Sequence, residues 1–165
     1  MSTQAPTLRQ ATAASPDVAR ERKRALLGSR ADRGSGWFYW IAGLSLVNSI
    51  LIRSGGSWSF VFGLGLTAGV DYVARDAALP GQLATGVFNA LVMGVFVVLG
   101  YFARRERRWA YLAGMTVYAL DGLLLLATLD WLGVAVHALG LLFIWGGLSA
   151  INKRRKMEQA IVVAS

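Results

Sequence analysis

Five carboxyl, amide or imidazole side chains lie inside apolar runs of this 165-residue sequence: Asp121, His137, Asn48, Asn89 and Asp71. Asp121 is the most costly. The run from Trp109 to Leu129 holds no other charged residue, and a carboxylate at the centre of a lipid-embedded helix costs about 2.5–3.5 kcal/mol on insertion scales. It must be protonated, paired, or turned toward a polar cavity. One chemistry that follows is a proton or cation site. The plainer reading is a neutral acid or ion pair that fixes helix packing. Asn48 and Asn89 divide the same way, between lining such a cavity and hydrogen-bonding across helices. Asp71 stands four residues before Arg75, the spacing of a helical ion pair, and joins the polar-core candidates. His137 is the single histidine. Histidine is the residue type able to change charge near neutral pH, and His137 has the donor atom for an axial pigment or haem ligand, although bis-histidine ligation would need a second histidine. A packing histidine bonded to a backbone carbonyl or a serine is the plainer role. Asp130, just before Trp131, reads as a wet helix cap.

Other chemistries find no residues to carry them. The chain has no cysteine, which removes disulfides, thiolate catalysis, Cys-ligated iron–sulfur clusters and c-type haem attachment. It shows no Glu–His pair, metal-ligand cluster, phosphate-binding loop, dinucleotide fingerprint or serine-nucleophile elbow. Ser45, Ser49 and Thr116 have no base beside them in sequence. No enzymatic activity, cofactor or metal is therefore expected.

The elements that must position these residues are apolar blocks closed by basic runs. Apolar residues make up 55% of the chain and the net charge is +8. The charge sits at block ends, where bilayer orientation and anionic headgroups explain it better than nucleic acid does. The expected fold is an all-α polytopic membrane helix bundle. Trp109 to Leu129 and Leu132 to Ala150 form a hairpin of two segments, each close to the ~20 residues that span a hydrocarbon core. Arg104–Arg108 closes its front and Lys153–Lys156 its back. Five spans are read, at 37–52, 58–74, 83–103, 109–129 and 132–151. The first two are short, which implies tilt, local thinning or a re-entrant element, so four spans plus one re-entrant segment is the alternative. Trp37, Trp40, Trp58, Trp109 and Trp131 lie near block ends, as an interfacial aromatic belt does.

Residues 1–36 read as a basic N-terminal arm, disordered at first. A short helix over about 16–27 follows, capped by Ser15 and Pro16 and stopped by Gly28. A flexible joint spans Asp32–Gly36. No short apolar core with a small-residue cleavage site precedes the first block, so no cleaved signal is expected. Residues 153–165 read as a basic tail.

Five spans place the arm opposite both later basic clusters. Those clusters abut their spans directly, so the positive-inside rule favours the arm outside and the C-terminus in the cytoplasm, with an inner cell membrane as the location. Four spans would bring all three clusters to the cytoplasm. A partial internal match also appears. Asn48 and Asp121 are 73 residues apart, as are Trp58 and Trp131. With three spans between the copies, this would be an inverted two-helix repeat around a central helix, an arrangement that several transporters use.

Gly86, Ala90 and Gly94 recur every four residues, the small-residue pattern of close helix contact in lipid. On base rate, the sequence favours a small scaffold or accessory subunit of a membrane assembly, working through helix packing, with a homo-oligomer or larger membrane complex as the partner and no nucleic acid. The alternative is a small proton-coupled transporter or channel with Asp121 and Asn48 in a central polar site. A pigment or haem protein with His137 as ligand is a third reading.

Overall fold

The first helix begins where the sequence signals it. Ser15 Oγ accepts the Val18 backbone N–H at 3.4 Å, and Pro16 occupies the first turn. The computed structural model describes residues 15–54 and 63–164. Helix α1 runs unbroken over Pro16–Arg53. Gly28 does not stop it, and Asp32–Gly36 is helical rather than a joint. The reason is tertiary. Leu27 and Ala31 are buried, the Tyr111 hydroxyl donates to the Ala31 carbonyl at 2.9 Å, and Gly34 meets Gly147 backbone to backbone. These contacts outweigh the ~1 kcal/mol that a glycine costs a helix.

Four more helices follow: α2 Gly65–Ala74, α3 Leu79–Arg104, α4 Arg108–Ala127 and α5 Trp131–Ala164. Helices α1, α3, α4 and α5 are long and apolar enough to cross a membrane. Helix α2 has ten residues, about 15 Å of rise against a hydrocarbon core of about 30 Å. The second expected span thus retains only its second half as described helix; its start, with Trp58, lies outside the described residues.

Contacts between glycines and large side chains set the helix directions. Gly86 lies beside the Arg53 guanidinium and Gly100 beside Tyr39, so α3 runs antiparallel to α1. Gly147 meets Gly34, while Phe143 stacks on Trp37 at 5.0 Å, so α5 is also antiparallel to α1. Tyr111 reaches Ala31 and Gly114 receives Phe38, so α4 is parallel to α1. The parallel course corrects the inverted repeat: the first helices of the two matching units point the same way, and the ten-residue α2 has no likeness to the 34-residue α5.

The core gathers around Phe38, which contacts Phe96 and Tyr111 ring to ring and fills the space left by Gly114. Ile41, Leu99, Tyr118, Ile144 and Leu148 complete it. The outer surface is equally apolar. Leu91, Leu123, Leu142 and Trp145 are among many large side chains that face outward. A water-soluble monomer rarely exposes so continuous an apolar belt; this is the surface of a multi-pass helix bundle in lipid.

All three basic clusters meet at one end. Arg154 of α5 pairs with Glu106 in the α3–α4 turn at 2.6 Å, Arg155 donates to the Glu106 carbonyl at 2.8 Å, and Ala31 of α1 is tied to Tyr111 at the same end. The expected separation of the N-terminal arm from the later clusters is therefore overturned. The antiparallel course of α3 relative to α1 brings the two ends together. Beyond the bundle, α1 and α5 continue as paired extensions, since 38 and 34 residues exceed the ~20 needed to span.

Two outcomes follow. Reporter fusions at Met1 and Ser165 should report the same side of the membrane; opposite sides would refute the end-sharing of the clusters. Gly34→Leu should lower thermal stability in detergent by about 1–3 kcal/mol through overpacking against Gly147. Gly94→Leu should be close to neutral, because nothing lies within 4 Å of a Cβ there.

Candidate functional site

Helix α2 starts inside the bundle, and its start creates the site. The first amides of any helix lack intrahelical acceptors. The residue at the cap position is Leu64, which has no side-chain oxygen to offer them. The acceptors come from two other helices. Ser45 Oγ of α1 accepts the Leu64 N–H at 2.8 Å, and Asp121 of α4 accepts Gly65 N–H on Oδ2 and Leu66 N–H on Oδ1, each at 2.8 Å. Thr67 donates its hydroxyl to the Leu64 carbonyl. The carboxylate thus sits on the positive end of the α2 dipole, where negative charge is favoured.

Asp121 has one more partner. His137 Nε2 lies 2.8 Å from Oδ2, and His137 Nδ1 lies 2.8 Å from the Gly133 carbonyl oxygen. A carbonyl only accepts, so Nδ1 carries a hydrogen. The Nε2–Oδ2 contact then requires a second proton between the two atoms. Imidazolium with carboxylate and imidazole with carboxylic acid both satisfy this, and both are neutral as a pair. Both side chains are almost wholly buried, at 2% and 5% exposure. Gly122 lets His137 approach, since even a Cβ there would stand 3.2 Å from it, and the Tyr118 ring stacks on the imidazole at 4.1 Å.

A second polar cluster lies further along α2. Asp71 is fully buried. Arg53 of α1 contacts its Oδ1 through Nε at 3.1 Å and Nη2 at 3.0 Å, and Asn89 Nδ2 of α3 donates to its Oδ2 at 2.7 Å. Asn89 Nδ2 also lies within reach of Ser49 Oγ and the Thr67 carbonyl. Arg53 Nη1 extends to the Gln82 carbonyl at 3.2 Å. The expected Asp71–Arg75 pair does not form. The Asp71 carboxylate is buried and taken by Arg53 and Asn89, and Arg75 instead lies over Tyr72 and pairs weakly with Asp76 at 3.8 Å.

The structure therefore splits the expected polar residues between two ends of one short helix. Asp121 and His137 join at its start, and Asp71 and Asn89 along its outer half. Asn48 is buried beside Gly63, where a Cβ would come within 2.7 Å of its Nδ2, so it borders the same helix start as Asp121. Gly86 lies half-buried against Arg53, whereas Ala90 and Gly94 are exposed, and a Cβ at Gly94 would meet nothing within 4 Å among the described residues. Asp130 caps α5 by accepting the Gly133 N–H at 3.0 Å. Ser45, Ser49 and Arg53 carry more than the sequence reading gave them. The clue available for Ser45 was the glycine density at Gly63 and Gly65, which marks close backbone approach.

Two openings reach the clusters. A groove of about 630 Å³ between α2 and α4 is lined by Gly65, Leu66, Gly69, Leu124, Leu125 and Thr128, among others, and touches the residues whose amides bind Asp121. A small cavity of about 70 Å³ at the outer end is lined by Arg53, Asp71, Ala74, Arg75 and Gln82. Among the described residues, no group of three His, Asp or Glu side chains is placed to hold a metal ion.

No protein-family model matches the chain, and no curated protein or solved structure matches it either.

Removing the shared carboxylate should leave two amides and a histidine unpaired. Asp121→Ala should cost about 3–5 kcal/mol in detergent unfolding, the usual effect of breaking a buried charged pair. Ser45→Ala should cost about 0.5–2 kcal/mol, as loss of a single cap does. Equal losses from the two would contradict the assignment of two amides and His137 to Asp121.

Proposed function

We propose that this protein is a small proton-coupled membrane transporter, with Asp121 and His137 as its proton-carrying pair. In this reading the chain has four spans, and α2 is a re-entrant half-helix that enters and leaves at the face opposite the basic clusters. That face is extracytoplasmic, which puts both termini in the cytoplasm by the positive-inside rule. One observation carries the proposal: a buried carboxylate and imidazole lie 2.8 Å apart at the start of a helix that begins mid-bundle. Discontinuous helices whose positive ends face a buried polar site are a recurrent construction in transporters. The pair can bind or release its shared proton only by breaking a contact, because deprotonation leaves two lone pairs facing each other. Proton exchange is thereby tied to the hold of α4 on α2. A groove borders Gly65 and Leu66, the residues whose amides hold Asp121. No catalytic role belongs to this reading.

The scaffold reading keeps one observation in its favour. Ala90 and Gly94 present a small-residue face outward on α3, open to a helix from another chain.

The test uses the purified full chain in proteoliposomes with trapped pyranine, under an imposed pH gradient and a clamped potential. Proton flux should exceed that of empty vesicles. Asp121→Asn and His137→Gln should each reduce it about tenfold or more while keeping the detergent-particle mass of the parent. Parent flux equal to that of empty vesicles would overturn transport and leave the scaffold reading.

A further inference from the structure

A second groove, remote from Asp121, lies between α1 and α3 at the basic end. Its volume is about 550 Å³, within the ~300–1,000 Å³ of ordinary ligand sites. Gly36, Tyr39, Trp40 and Gly43 of α1 line it together with Arg104 of α3. The four α1 residues fall at the i, i+3, i+4 and i+7 positions of one helical stripe.

The two glycines are not needed by the fold. A Cβ at Gly36 or Gly43 would meet nothing within 4 Å, whereas one at Gly34, Gly114 or Gly140 would collide. Each costs its helix about 1 kcal/mol relative to alanine. What they provide is a shallow trough about 10 Å long on the α1 axis. Trp40 stands beside it, 65% exposed.

The charge at its mouth is unpaired. Arg104 is the last residue of α3 and has no acidic partner among the described residues. Its guanidinium lies 4.9 Å from the centre of the Tyr39 ring. Such stacking fixes the plane of the group and leaves its N–H edge free for a phosphate. Arg104 sits at the same level as the aromatic belt, where lipid phosphates lie, and Gly43 lies deeper toward the bilayer centre.

We propose that this groove is a binding site for an anionic phospholipid, its phosphate on Arg104 and one acyl chain along the Gly36–Gly43 trough. The occupant is anionic because, among the described residues, no carboxylate lines the groove to receive the ammonium of a zwitterionic headgroup, while Arg104 stands at its mouth. A helix from a second copy fits less well, since Trp40 and Arg104 stand at the rim where two backbones would have to close. The proposal is independent of proton transport.

The full-length protein in detergent should be titrated with phosphatidylglycerol, phosphatidylcholine and inorganic phosphate, with bound lipid counted by native mass spectrometry and thermal unfolding followed in parallel. Phosphatidylglycerol should bind at one tight site and raise the melting temperature, with about tenfold preference over phosphatidylcholine, and inorganic phosphate should do neither. Arg104→Gln and Gly43→Leu should each weaken phosphatidylglycerol binding about tenfold. Arg105→Gln, an equal loss of charge next door, should preserve it. The proposal is overturned if the two lipids bind alike, if neither Arg104→Gln nor Gly43→Leu alters binding, or if Gly43→Leu changes the number of chains per particle instead.

Discussion

The structure depends on one unmet need: the amides at the start of α2 are buried, and the residue at their cap position cannot serve them. Water is not available in a bilayer interior, so each unsatisfied amide there would cost several kcal/mol. Asp121 meets two of these needs and Ser45 a third. The positive end of α2 in turn makes a carboxylate tolerable where lipid alone would not. Neither partner is stable without the other. This reciprocity explains why α2 can begin mid-bundle and why α4 carries an acid in its apolar face.

The same helix separates two kinds of polar chemistry. Its start holds a neutral pair whose charge state depends on a single shared proton. Its outer half holds Asp71, where Arg53 supplies a permanent positive charge that is 39% exposed and so partly in water. An arginine partner brings a fixed positive charge, whereas the Asp121–His137 pair is neutral wherever its proton sits. The Asp71 cluster ties the outer half of α2 to α1 and α3, and the Asp121 cluster ties its start to α4 and α5.

Much of this was legible from residue types. Asp121, His137, Asn48, Asn89 and Asp71 stand out because apolar blocks make polar residues conspicuous, and all five are buried. Their partners were not legible. Asp121 and His137 meet across a helical hairpin, and Asp71 finds Arg53 on another helix, which no local spacing encodes. The length of α2 was hidden as well, because a glycine-rich apolar block reads the same whether it crosses or turns back. That ambiguity carried into the orientation and the apparent repeat. The glycines taken for packing, Gly86 and Gly94, mattered less within the chain than Gly34, Gly114, Gly140 and Gly147, where large aromatic rings or a facing backbone leave no room for a side chain. Small-residue periodicity records where a helix could be approached, not which neighbour approaches it.

The continuity of α1 and α5 has a structural corollary. Both are unbroken helices longer than a membrane span needs, and they approach backbone to backbone where Gly34 meets Gly147. No side chain separates the two backbones there. From that contact α1 continues without a break to Trp37 and Ser45, and α5 runs back to His137. The protruding basic ends and the buried polar residues are therefore parts of the same two helices.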